Sequence, residues 1–210
     1  MLTRIQISAF LGLSAALWVG MLAARGVPLS WEMLGPFSGV VGGVSLILLI
    51  FDAWAWRLPI FRGWLIKRPI LVGAWRVELQ SNWINPETDA GIAPIHCFMI
   101  IRQTASAISF RLVTPESTSE TVSAGIEICS DGTFEISCTY RNKPRSAFRH
   151  RSQVHYGAML LNADGLTPTR LEGEYWTDRN TLGSVVLTER KKGAPMTFDE
   201  AAALFNDEGA

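Results

Sequence analysis

Residues 171–179, LEGEYWTDR, put an aromatic ring, a hydroxyl and a guanidinium on alternate positions. In a strand, Leu171, Gly173, Tyr175, Thr177 and Arg179 face one way, and Glu172, Glu174, Trp176 and Asp178 the other. Turned inward, the first set can hold phosphate oxygens bidentately through Arg179 and stack a nucleobase on Tyr175. The same pattern describes an ion pair at a rim and a core tyrosine, and the residues alone leave both readings open. Residues 141–151, RNKPRSAFRHR, carry five basic groups and one His with no acid. Such a run attracts phosphates or anionic lipid head groups, or is a solvated loop. The hydroxyl-rich residues 114–123, TPESTSETVS, read as a link between two strands; their hydroxyls suit phosphate or base edges as well as water.

His155-Tyr156-Gly157 holds a lone strand histidine, which in general is more often a satisfied partner than a catalyst. No His/Cys/Asp/Glu group has metal-ligand spacing, no serine sits in a nucleophile elbow, and no glycine loop precedes a helix to cradle phosphate. These absences argue against an enzyme. No catalytic residue, metal or cofactor is expected.

From Gly73 onward the hydrophobic period is two. Eight strand-like runs follow, at 73–80, 95–103, 106–113, 121–129, 133–141, 153–161, 170–178 and 183–190, punctuated by Asn85-Pro86, Asp131-Gly132 and Asp164-Gly165. Ile108, Phe110 and Leu112 share a face. So do Val122, Ala124, Ile126 and Ile128, and likewise Phe134, Ile136, Cys138 and Tyr140. The spacing predicts an all-β domain over 71–193, an eight-stranded antiparallel up-and-down barrel with room for side chains or one small ligand. A tail over 194–210 contains a short helix at 197–206, with Thr197 and Glu200 as a capping box and Phe198, Leu204 and Phe205 as its apolar stripe. Cys97, Cys129 and Cys138 read as buried free thiols of a reducing compartment.

The first seventy residues differ in kind. They hold six Arg/Lys against Glu32 and Asp52, whereas the remainder holds thirteen basic against seventeen acidic residues. Residues 33–51 are nineteen uncharged positions and 5–24 are twenty, each long enough to cross a bilayer. A helical two-transmembrane hairpin over 1–58 is therefore expected, with spans of about 5–24 and 33–55 and an amphipathic linker over 59–70. A signal peptide fits poorly, because Arg25 and then a second span follow Leu22-Ala23-Ala24. The basic residues at both outer ends place the N- and C-termini in the cytoplasm, and Trp18, Trp31, Trp54, Trp56 and Trp64 suit the membrane interfaces. Asp52 falls near the cytoplasmic head groups. Gly12, Ala16 and Gly20 form a small-residue row on the first span, and Gly35, Gly39 and Gly43 one on the second. Such rows pack the two helices together or join separate chains.

Several motifs occur in a fixed order: Gly73-x-Trp75, Ile101-x-Gln103, Ser117-x-Ser119, Tyr140-x-Asn142-x-Pro144, His155-x-Gly157 and Gly173-x-Tyr175-x-Thr177-x-Arg179, then Gly183 and Leu187. With the two spans, this order resembles the two-transmembrane β-barrel effectors of bacterial CBASS anti-phage systems, the CD-NTase-associated membrane receptors. The resemblance implies that the barrel binds a cyclic dinucleotide made by a CD-NTase, oligomerises through its helices and breaches the inner membrane. It makes Trp75, Tyr140, Thr177 and Arg179 the first candidates for the pocket, with Ser119, Asn142 and His155 behind them and Tyr175 from the alternation above. The expected partners are the messenger, further copies of the chain and the bilayer, not DNA or RNA. Two other readings stand beside it. One is a membrane-tethered lipocalin-like barrel with an apolar ligand, for which Ile95, Cys97, Met99 and Ile101 would suit the lining. The other is a structural adaptor whose barrel is filled.

Overall fold

A computed structural model describes residues 4–26, 31–84 and 89–206. The chain divides into two compact units, Met1–Pro59 with Thr104–Ser106, and Ile60–Gln103 with Ala107–Ala210.

In the first unit, helix α1 (Arg4–Ala24) has 21 residues and α2 (Trp31–Ala53) has 23. α1 is rich in Leu and Ala, good helix formers, whereas α2 carries four glycines and Pro36 up to Gly43 and a Leu/Ile run after it. Gly26, at φ +66°, stops α1 as a left-handed residue past its end, and its N–H reaches the Ala23 carbonyl. Among the described residues no helix is long and apolar enough to cross a membrane. Among the described residues, a methyl group added at Gly12, Gly20 or Gly43 meets nothing within 4 Å. Ala16 is exposed too, while the surroundings of Gly35, Gly39 and Trp31 lie outside the described residues. Of the tryptophans expected at an interface, Trp18 and Trp54 are exposed but Trp56 is buried. The Asp52 carboxylate accepts a hydrogen bond from the Ser106 N–H at 2.8 Å.

The second unit is the barrel. Its strands are β1 (Gly73–Ser81), β2 (Ile95–Gln103), β3 (Ile108–Val113), β4 (Ser117–Ile128), β5 (Phe134–Pro144), β6 (His155–Ala163), β7 (Leu171–Thr177) and β8 (Leu182–Lys191). Each is antiparallel to the next, and β8 pairs with β1 to close the barrel. All eight expected strands are present. Two differ in extent by three residues or more at one end. β4 begins at Ser117 and β5 runs on to Pro144, so much of the hydroxyl-rich stretch and the start of the basic run are strand, not loop. Their cross-strand pairs explain it: Thr118 faces Lys143, Ser119 faces Asn142 and Glu120 faces Arg141. Glu120 also binds Lys143 at 2.6 Å and Arg111 at 3.0 Å. The Lys143 hydrogen bond, followed by the Arg111 and Arg141 charges, holds its carboxyl below the ordinary value.

β4 also departs from simple alternation. Its register shifts between Thr121 and Ser123, a bulge that turns Val122 outward. Ala124 and Ile126 still pack on the core, whereas Val122 and Ile128 are exposed, so the four do not share one face. Beside the bulge the Thr121 hydroxyl accepts from the Phe110 N–H at 2.7 Å and donates to the Phe110 carbonyl at 2.9 Å, standing in for a ladder partner.

Cys97 and Cys138 are buried, and Cys129 is only partly so. Burial raises the Cys97 thiol to about 12 and pushes Cys138 up as well. Helix α3 (Phe198–Asn206) lies on the outside of β2, where Phe98 stacks on Phe205 with centroids 5.0 Å apart. Thr197 Oγ1 accepts from the Glu200 N–H, and Glu200 accepts in return from the Met196 N–H, a capping box displaced by one residue. This second apolar cluster explains why β2 is buried on both faces.

Candidate ligand-binding site

The barrel has one filled end and one hollow end. At the filled end Leu71, Trp75, Ile101, Ile136, Leu171 and Leu187 are all at most 1% exposed. The segment entering β1 is tied in by hydrogen bonds. Gln103 accepts from the Leu71 N–H and donates to the Pro69 carbonyl, and the Trp75 indole donates to the Leu71 carbonyl. Trp75 is thus part of the floor, with the Arg190 guanidinium 5.2 Å from its ring centre. It does not line the cavity above. Trp75 was expected at the ligand, but the first residues of β1 lie at the closed end and place it outside the cavity.

Above that floor an eight-stranded barrel is just wide enough for side chains to fill. Here the inward positions carry short side chains, including Ser117, Ser119 and Thr177, which leave a cavity of about 490 Å³. That is the size of an ordinary small-ligand pocket. Register places Met99, Leu112, Ser119, Asn142 and His155 as successive neighbours on β2 to β6. Asn142 Nδ2 donates to Ser117 Oγ at 3.0 Å and to Ser119 Oγ at 2.9 Å. His155 Nδ1 donates to the Gln153 carbonyl at 3.0 Å, which leaves Nε2 as the free ring nitrogen.

One layer deeper stand two tyrosines. Tyr140 faces Gly157 across the ladder, and a Cβ at Gly157 would lie 2.4 Å from the phenol oxygen; Gly183 likewise clears 2.8 Å for the Tyr175 ring. Burial, reinforced by Tyr175, Cys138 and Asp178, raises the Tyr140 phenol above its ordinary range, so it stays a neutral donor. The alternation over 171–177 is as expected, with Leu171 and Tyr175 on the core and Trp176 exposed.

Six of the eight residues expected at the site line this cavity: Ser119, Tyr140, Asn142, His155, Tyr175 and Thr177. Arg179 does not. β7 ends at Thr177, so alternation stops two residues short, and Arg179 sits exposed in the following turn. Among the described residues its guanidinium meets no acid but donates to Ser152 Oγ at 3.0 Å. Arg149 donates to the Pro144 carbonyl and Arg151 pairs with Glu116. Ser152, Pro144 and Glu116 all line the cavity, so these three guanidiniums are anchored on its rim. Arg141 and Lys143 lie on β5, where their partner is Glu120. The basic run is thereby split between outer wall and mouth.

Sequence reasoning missed Glu116, Phe110 and Phe148 as lining residues. Phe110 and Leu112 had been placed together on one face, and that face is the lining. Of the residues expected for an apolar ligand, Ile95 and Met99 line the cavity, while Cys97 and Ile101 are sealed in the core. The barrel is not filled, contrary to the adaptor reading. Among the described residues no three His, Cys, Asp or Glu groups are gathered to hold a metal ion.

A family model described as Cap15, cyclic dinucleotide receptor domain, matches residues 66–189. The chain belongs to that family. The match takes in the linker from Ile66, strands β1 to β7 and nearly all of β8, and leaves the three helices outside. The Cap15 barrel described above is accordingly a cyclic dinucleotide receptor, the receptor part of a CBASS effector. No curated protein matches the chain.

Proposed function

We propose that this chain is a membrane effector of CBASS defence whose cavity takes a cyclic dinucleotide with its bases in the cup and its phosphates at the rim. The observation that carries this reading is the ring of guanidiniums, Arg149, Arg151 and Arg179, each bonded to a residue that lines a half-polar cavity. Charged donors of this kind give the strongest hydrogen bonds to phosphate oxygens. Tyr140 and Tyr175 supply aromatic surface for the bases. Binding acts as a signal without turnover.

The output lies in the helices. A two-span hairpin in the bacterial inner membrane with both termini cytoplasmic rests on the uncharged stretches 5–24 and 33–51 of the sequence and on the basic residues flanking them. Open space beside Gly12, Gly20 and Gly43 supports their use between chains rather than within one. A messenger made by a CD-NTase drives assembly only as far as it binds the assembled state better, and the assembled helices then disrupt the bilayer.

The test is a titration of the full chain in detergent with cyclic dinucleotides. Arg151→Ala and Arg179→Ala each weaken binding about tenfold or more, as loss of a hydrogen bond to a charged group should. Wild-type affinity in the double variant overturns the placement of the phosphates.

A further inference from the structure

The polar lining residues of the cavity are confined to one part of its wall. Every lining residue from β1, β2, β3 and the β1–β2 loop is apolar: Leu79, Ile92, Ile95, Met99, Phe110 and Leu112. Polar side chains begin at the β3–β4 turn and continue on β4, β5, β6 and β7, where Ser117, Ser119 and Asn142 form one hydrogen-bonded cluster. The cavity therefore has a wholly apolar wall of three adjacent strands, and its polar side chains all lie on the remaining wall, interspersed there with Cys138, Phe148 and Met159.

A cyclic dinucleotide presents two bases of equivalent placement, whereas a cavity inside one barrel has no two-fold axis. Its two bases must meet different walls. We propose that this cavity reads one base by its hydrogen-bonding edge and holds the other by surface contact alone. The inference rests on the proposed function and specifies how that site selects its ligand.

The reading element is the Asn142 cluster. Both Nδ2 hydrogens are committed to the two serines, which leaves the Asn142 carbonyl oxygen as an acceptor for a base N–H. Ser119 accepts from Asn142 and keeps its own proton to donate. Its residue is only 5% exposed, so a base edge that fails to pair here leaves buried polar groups unsatisfied. The opposite wall has no donor or acceptor among its side chains. A base held there buries its face and keeps its edge toward water, because an edge pressed on that wall would lose hydration without compensation. Discrimination at that base is by size and shape only.

The experiment measures affinities of the full chain in detergent for cyclic di-UMP, di-AMP and di-GMP and for mixed cyclic UMP–AMP and GMP–AMP. In the wild type, exchanging one base changes affinity about tenfold or more, and exchanging the other changes it less than about threefold. Asn142→Ala compresses the ranking of all five ligands to within about threefold, and Ser119→Ala, the milder variant, compresses it in the same sense. Ile95→Thr lowers all affinities by a similar factor and keeps the ranking. Equal discrimination at both bases overturns the inference, as does a ranking that survives both polar-wall substitutions. Binding of none of the five ligands refutes the proposed function itself, a result distinct from either.

Discussion

Gly157→Ala tests the geometry of the cup at one atom. A Cβ at position 157 would stand 2.4 Å from Tyr140 Oη, 2.5 Å from Tyr140 Cζ and 2.7 Å from the Trp176 carbonyl oxygen. Real Cβ contacts essentially never fall below 3.0 Å, so the phenol has to yield by at least about 0.6 Å. The Trp176 carbonyl belongs to the β7 backbone and cannot rotate away, which leaves the Tyr140 ring to swing off its seat. Overpacking of this kind costs about 1–3 kcal/mol. For a chain of this size each kcal/mol lowers Tm by about 2–4 °C, so a fall of about 4–8 °C is expected for a mid-range cost. A ring displaced into the cavity also removes ligand space, and affinity for the preferred cyclic dinucleotide falls about tenfold or more.

The assays are thermal unfolding and titration of the full chain in detergent, with Tyr140→Ala and the double variant beside Gly157→Ala. Once the ring is gone, the clash with Tyr140 is relieved and the one with the Trp176 carbonyl remains. The double variant is then more stable than the sum of the single effects predicts, by about 0.5–3 kcal/mol of coupling. A Gly157→Ala protein with unchanged Tm and unchanged affinity would refute the reasoning. Additive single and double effects would show that the cost lies in the strand backbone and not in the tyrosine.

Three further expectations follow from separate parts of the molecule. Glu116→Gln removes the only acid lining the cavity among the described residues and frees Arg151, so affinity rises a few-fold at low salt and the gain shrinks as salt screens it; weaker binding in the variant would place the phosphates elsewhere. Glu120 has a carboxyl held below its ordinary value of 4.5, chiefly by Lys143. Its contribution to stability is therefore complete above that value and lost as pH falls through the depressed one. Glu120→Gln makes stability less steep with pH in acid unfolding curves below about 4.5, and an unchanged slope would show that the pair is screened out. Gly43→Leu fills open space on α2; it leaves messenger binding intact and blocks membrane damage in a vesicle-leakage assay, and full leakage would remove this row from the assembly surface.

The strands were legible because period-two patterning and turn residues act locally, and the short tail helix was legible for the same reason through Thr197 and Glu200. What sequence could not supply was depth and register. Trp75 carries the right chemistry for a base but enters at the floor, one end of the barrel away from the mouth. Arg179 belongs to an alternating series that ends when β7 ends at Thr177. Val122 is turned outward by a bulge that no single residue type announces. Gly157 and Gly183 stood out as motif positions, yet their reasons lie on neighbouring strands: the Tyr140 phenol for Gly157, and the Gln80 carbonyl with the Tyr175 ring for Gly183. That relation is visible only once the ladder is closed. The polar stretch from Ser117 looked like a loop because hydroxyls facing a wet cavity have the same composition as hydroxyls facing solvent.

The rim limits what phosphate contacts contribute to selectivity. Arg149, Arg151 and Arg179 already have partners in the Pro144 carbonyl, the Glu116 carboxylate and the Ser152 hydroxyl. A ligand phosphate exchanges with these groups instead of filling a vacant donor set, so its gain is the difference between two hydrogen-bonded arrangements. For the half-exposed Arg151–Glu116 pair that exchange involves an interaction worth little in water. Besides the bound-state contacts they make, the cations act on the encounter, raising the association rate for any doubly charged cyclic dinucleotide in a salt-dependent way. Residence is decided inside, where the Asn142 cluster and the apolar wall are shielded from water. A messenger of the right charge and the wrong base arrives as fast as the right one and leaves sooner, which places discrimination in the dissociation rate.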